Sequence, residues 1–166
     1  MSYFRKLNVH KHDAFQTIIF SDTILVYNKV EVGSLHDKKY IVMYMIEFVQ
    51  DLIFKGLSND LNFRAVLTFG EFEHYNLENA ECYYGKSLIS AYLKEKEING
   101  IGLFMDSDLA VYNDIYKSCS YNSELNFIFL LQTLVSIKTY GLELPIPSEL
   151  IEPTYEFCWL EDEITL

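Results

Sequence analysis

The chain has 166 residues, half of them apolar and 16% aromatic, and a formal charge of −11. That length matches one ordinary domain with a real core, and that composition excludes a disordered tail or linker. Thirteen scattered Lys and Arg against twenty-four Asp and Glu offer no basic face for a phosphate backbone and argue against DNA or RNA as a partner, while a small local anion site for a nucleotide stays compatible with bulk acidity.

The N-terminal "MSYFRKLNVHKHD" has no apolar signal region. "DAFQTIIF" and "TILVYNK" are then rich in β-branched and aromatic residues and meet at Ser21-Asp22-Thr23, which predicts a hairpin. "DKKYIVMYMIEFVQDLIFKG" (37–56) predicts five helical turns, capped by Asp37, stopped by Gly56 and covered on two faces. "LNFRAVLTFGEFEHY" (61–75) alternates as one strand, with Phe63, Ala65, Leu67 and Phe69 on one side and a bulge or bend at Gly70.

A polar loop leads to a second helix, "GKSLISAYLKEKEI" (85–98), with Leu88, Ala91, Tyr92 and Glu95 on one side. "IGLFMD" (101–106) reads as a short buried strand, "DSDLAVYNDIY" as a helix start and "SELNFIFLLQTLVSIKTYG" as the last long helix. "LPIPSELIEP" is expected as an extended connector and "TYEFCWLEDEI" as a terminal strand with an acidic, solubilising end. The order β-β-α-β-α-β-α-α predicts a single α+β domain over residues 1–166, its sheet mostly antiparallel and packed by helices.

Cys82, Cys119 and Cys158 lie far apart without a C-x-x-C spacing and read as reduced thiols. The longest apolar stretch, residues 125–137, is interrupted by Gln132 and is too short to span a bilayer. A soluble cytoplasmic protein without membrane contact is expected.

The hairpin with "SD" at its tip, the helix, "FRAVLTFGEF", the loop and "YYGKSLISAYLKEKE" together resemble the class III nucleotide cyclase homology domain. The resemblance spans roughly residues 14–108 and is closer to a bacterial cyclase-like branch, some of it in phage-defence settings, than to the well-studied adenylyl cyclases. It rests on Asp22, where the family has a metal-binding Asp, on Gly70-Glu71, and on Gly85 with Ala91. It implies a ferredoxin-like cyclase-type sandwich, Mg²⁺ or Mn²⁺ at Asp22, a nucleotide ligand, and a homodimer or a heterodimer with a cyclase-like protein.

Two departures point away from catalysis. The family uses a second metal-binding carboxylate on a preceding strand, so that two ions can activate the hydroxyl and neutralise the triphosphate. No strand-plus-Asp-plus-Gly element precedes Asp22, so the usual first strand is expected to be missing. The family also carries an Asn and an Arg on the second helix, and the matching positions are Ile89 and Leu93. Apolar side chains cannot make those charge-assisted contacts.

The resulting expectation is a degenerate, dimeric cyclase-like domain that acts as a nucleotide-binding or protein-interaction and regulatory module. Ser21, Thr23, Arg64 and Lys86 are the candidate nucleotide contacts and Asp22 the candidate metal ligand. Asp22 reads equally as a turn residue, since Ser-Asp-Thr suits a tight turn. Arg64 reads also as an ion-pair partner of Glu71 or Glu73.

The alternative is a metal-dependent nucleotide cyclase using Asp22 with Asp13, Glu71, Asp106 or Asp108, completed by a partner or by a longer N-terminal segment. His10, His12 and Asp13 form an H-x-H-D cluster read as a solvated start, and His36 and His74 read as isolated exposed side chains. The stripe Tyr40, Tyr44 and Phe48 reads as core or as a dimer face, and "KEKE" (94–97) as a solvated helix face.

Overall fold

A computed structural model describes residues 14–57 and 59–147. The H-x-H-D cluster, the terminal strand expected in "TYEFCWLEDEI" and Cys158 lie outside the described residues. Strands β1 (Phe15–Phe20) and β2 (Thr23–Asn28) form the expected antiparallel hairpin, with Ile18 opposite Leu25 and Ile19 opposite Ile24. Helix α1 (Leu35–Leu57) begins earlier than the Asp37 expected as its cap. Ser34 is the capping residue instead. Its hydroxyl accepts the Asp37 amide at 3.0 Å, and the Asp37 carboxylate accepts the Ser34 amide at 3.2 Å, so two orphan donors are satisfied reciprocally. Those bonds to Ser34 hold the Asp37 carboxyl below its ordinary pKa. At the other end the Gly56 carbonyl accepts the amides of Asn59 and Leu61.

The main sheet has the order β3-β6-β8-β7, from β3 (Arg64–Leu67), β6 (Gly102–Asp106), β7 (Ser118–Ser120) and β8 (Leu125–Ile128). β6 lies at its centre, parallel to β3 and antiparallel to β8. An apolar run of this kind is what a strand covered on both faces requires. Leu103 and Met105 meet Val42, Ile46 and Ile53 of α1 on one face. Phe104 meets Leu125, Phe127 and Leu134 on the other, the last of these from helix α3 (Leu131–Tyr140). Helix α2 (Lys86–Glu97) lies between β3 and β6 in the chain and packs on β3. The fold is therefore α+β, with antiparallel hairpins and one mixed sheet. Among the described residues no helix is long and apolar enough to cross a membrane.

Four expectations are corrected. Residues 61–75 do not form one strand. β3 ends at Leu67, the chain bends at Gly70, and β4 (Glu73–Leu77) pairs with β5 (Ala80–Tyr84) around a two-residue turn at Glu78-Asn79. The expected polar loop is thus a second hairpin, and Phe69, beyond the end of β3, is 65% exposed. The helix start in "DSDLAVYNDIY" is a 3-10 segment, Ser107–Tyr112. The last long helix is shorter by its first half. Leu125–Ile128 is strand β8, because Phe127 and Ile128 fill the sheet beside β6, and helix begins only at Leu131. Among the described residues the strand pairings are spread over three sheets rather than one, and β7 had no sequence signal of its own.

Candidate functional site

Ser21 and Asp22 form the two-residue turn of the first hairpin, and Ser21 takes a positive φ of 49°. A small polar residue pays for that conformation less than a branched one does. Ser21, Asp22 and Thr23 are all exposed, and the Thr23 hydroxyl lies 3.4 Å from the Asp22 carboxylate. Among the described residues no ion pair ties the carboxylate down. Asp22 therefore has the geometry of a turn residue and a carboxylate open to a cation from solvent.

The tip is tied to the second hairpin by aromatic rings. Phe20, one residue before the turn, packs edge-on against Tyr83 with centroids 5.4 Å apart. Tyr83 stacks on His74, and Tyr27 sits 4.5 Å from Phe72. The Tyr27 hydroxyl is 2.6 Å from His74 Nδ1. Among the described residues His74 Nε2 is buried without a hydrogen-bond partner. The Tyr83 hydroxyl donates to Glu81, which pushes its pKa up to about 12. His74 was expected to be isolated and exposed. It is half-buried because the two hairpins clamp it, a contact between residues 47 apart that no local pattern announces.

Beyond Tyr83 the chain enters α2 through Gly85. Its φ is +151°, and a Cβ there would lie 2.2 Å from the Glu71 carbonyl oxygen, so the position admits only glycine. This close approach lets that carbonyl accept both the Ser87 amide at 3.2 Å and the Ser87 hydroxyl at 2.9 Å. Thr68 donates to the Ser87 carbonyl. The "GE" segment thus serves as a backbone cap for α2, and one amide that could have received an anion is already used. Lys86 is exposed and stands 3.4 Å from the equally exposed Glu71 carboxylate, a pair worth about 0–1 kcal/mol.

Arg64 is engaged elsewhere. Its guanidinium contacts the Glu95 carboxylate and donates to the Ile98 carbonyl. Glu95, one helix face away in "KEKE", is the partner rather than Glu71 or Glu73. Lys94 also turns inward, with its side chain only 18% exposed. It bonds Asp106 at 2.6 Å and approaches Glu124 at 3.6 Å. The segment read as a solvated face is solvated only at Lys96 and Glu97. Of the alternative catalytic carboxylates, Asp106 is held in this pair, Asp108 is exposed, and Asp13 lies outside the described residues. Among the described residues no three His, Cys, Asp or Glu side chains converge to hold a metal ion.

The Lys94 pair gives a pH signature. Burial opposes the charge most strongly as a single influence, but the hydrogen bond and charge of Asp106, with Glu124, outweigh it and raise the Lys94 pKa above the ordinary 10.5. A base whose pKa is higher in the folded state stabilises the fold fully below its unfolded pKa, and that contribution is lost as pH rises through the folded value. Urea denaturation should therefore show an alkaline loss above the ordinary lysine range. Lys94→Met should remove that loss and cost about 1–3 kcal/mol at pH 7, because Asp106 is left without its cation. An unchanged alkaline limb in the variant would show that the pair does not carry it.

Comparison with protein-family models, with curated proteins and with solved structures finds no match to this chain.

Proposed function

We propose that the chain is a degenerate class III cyclase-like module that acts by binding, to a nucleotide or to a protein partner, rather than by turnover. The observation that carries this reading is on α2. Ile89 and Leu93, at the positions where the resemblance calls for an Asn and an Arg, are 60% and 56% exposed. A solvent-facing pair of aliphatic side chains cannot hold a phosphate or a transition state, yet it suits contact with another protein. The ferredoxin-like, cyclase-type arrangement is part of the same reading. So is the missing first strand: among the described residues no strand pairs with the outer edges of the β1–β2 hairpin or with the second edge of β3. Open edges of this kind invite association, which favours a homodimer or a heterodimer with a related chain. The unbridged Cys82 and Cys119 accord with a reducing, cytoplasmic setting.

A nucleotide with Mg²⁺ or Mn²⁺ at Asp22 is the ligand this reading favours, because that carboxylate is exposed at the hairpin tip. Ser21 and Thr23 flank it, Lys86 stands at the start of α2 in an exposed pair with Glu71, and Arg64 would have to leave Glu95. One carboxylate holds such an ion weakly without substrate phosphates. The catalytic alternative, a cyclase making a cyclic nucleotide signal in phage defence, draws on the same Asp22 with Asp13, Glu71, Asp106 or Asp108, completed by a partner or by a longer N-terminal segment.

Calorimetric titration with ATP, GTP, CTP and UTP in the presence of Mn²⁺ tests both. Metal-dependent binding is expected, weakened about tenfold or more by Asp22→Ala, with no cyclic product. Formation of a cyclic product would overturn the non-catalytic reading. Absence of binding by the folded protein would leave Asp22 as a turn residue and the domain as a protein-binding module.

A further inference from the structure

The second hairpin uses one of its faces against the first hairpin and leaves the other exposed. Residues 71–85 hold four glutamates and no Lys or Arg. In the β4–β5 register Glu73 lies opposite Tyr84, Tyr75 opposite Cys82 and Leu77 opposite Ala80, so these six side chains share a face. His74 and Tyr83 belong to the other face, the one that meets Tyr27 and Phe20. On the outer face Tyr75, Leu77 and Tyr84 are 44%, 57% and 52% exposed, a contiguous apolar group of the kind that marks a contact surface.

The Tyr75 and Tyr84 rings are diagonal neighbours, 6.0 Å apart between centroids and inclined at 78°. The Tyr84 hydroxyl donates to one carboxylate oxygen of Glu73 at 2.8 Å, which fixes that carboxylate beside the rings. Lys86, just past β5, is paired with Glu71 at 3.4 Å. Glu73 and Glu78 have no cation partner among the described residues.

We propose that this face docks a basic segment of a partner protein, with an arginine side chain laid on the Tyr75 and Tyr84 rings and its guanidinium directed to Glu73. A guanidinium is planar, stacks on aromatic faces and meets a carboxylate through paired N–H donors. Glu78, at the turn, serves a second cation further along the segment, and Leu77 gives it an apolar contact. Charge disfavours the other occupants. A second copy would set the same glutamates against each other, since an isologous contact brings a patch onto itself. A nucleotide or an anionic surface would be repelled. The proposal goes beyond the reading of Asp22 and needs neither nucleotide nor metal, so either can fail alone.

Heteronuclear NMR titration with the blocked peptide acetyl-Arg-Thr-Arg-Thr-Arg-amide tests it. Amides of β4 and β5 should shift, saturating at submillimolar to millimolar peptide, while those of β6 stay still. The same peptide with citrulline for arginine, neutral but of the same shape, should bind about tenfold more weakly or worse. Tyr75→Ala leaves the net charge unchanged and should weaken binding about threefold or more, whereas Tyr75→Phe should stay within about twofold of wild type. Glu73→Gln should weaken it more than Glu143→Gln, which removes an exposed glutamate outside the hairpin. Unmoved β6 amides in each variant's spectrum establish that it is folded. Shifts scattered over the acidic surface, or binding retained in Tyr75→Ala, would reduce the effect to bulk charge and overturn the site. So would absence of binding, or shifts of the Tyr75 and Leu77 amides on concentrating the protein alone or on adding ATP, which would assign the face to a second copy or to an anion.

Discussion

Replacing Phe104 with alanine is expected to lower the unfolding free energy by about 3–5 kcal/mol, the range for truncating a fully buried aromatic ring. The ring is fully buried in β6, the central strand of the main sheet. It packs edge-on against Tyr121 at 4.9 Å and against Phe127 at 5.4 Å, so its removal forfeits two aromatic contacts as well as its own transfer energy. The cavity cannot easily close. Its walls are strand β8, fixed by the ladder to β6, and the far cluster with Ile98 and Leu134. Domains of this size have about 5–15 kcal/mol of stability in total, so the variant should sit close to its unfolding midpoint. Urea denaturation measures this directly. Phe54, 58% exposed on α1, is the control, and its alanine variant should stay within about 0.5 kcal/mol of wild type. A loss below about 1 kcal/mol for Phe104→Ala would contradict its central position.

Gly85→Ala is expected to cost about 2–4 kcal/mol by a different route, backbone collision rather than an empty space. The new Cβ would lie 2.2 Å from the Glu71 carbonyl oxygen and 2.7 Å from the Phe72 α-carbon. Both neighbours are backbone, so no side-chain rotation relieves the contact. Either the Glu71 carbonyl retreats and abandons Ser87, or α2 shifts along its axis. Amide hydrogen exchange distinguishes this from general destabilisation: the Ser87 amide, which donates to that carbonyl, should lose protection before the core of β6 does. Gly33→Ala is the matched control, since nothing lies within 4 Å of its added Cβ. Wild-type stability in Gly85→Ala would mean that the "GE" segment does not cap α2.

The two predictions also separate what a local reading could and could not reach. Glycine at 85 was legible as part of a motif, but its cause was not, because the colliding carbonyl belongs to Glu71 on the far side of a hairpin. That hairpin itself was missed. Glu78-Asn79 lacks the usual glycine of a tight turn, and β4 and β5 are mostly exposed, so no apolar alternation marks them. Residues 125–128 were read as helix because a short apolar run fits a buried helix or a buried strand equally well. The open edge of β6 decided it.

The candidate site was partly legible. Asp22 stands at the hairpin tip, where the sequence placed it, and Lys86 at the start of α2. Arg64 was recognisable as a charged residue on a strand, yet its partner, Glu95, is contributed by a helix face that looked solvated in isolation. "KEKE" divides between sheet and solvent only when α2 is laid on β3.

By itself the sequence determined the first hairpin, α1, α2 and β6, because each is written in local terms: β-branched runs, helical spacing and a continuous apolar strand. Only the tertiary structure decided which charges are paired, that His74 is clamped between two hairpins, and that Ile89 and Leu93 face outward. These outcomes depend on long-range contacts between elements, and the free energy of such contacts resides in neither segment alone.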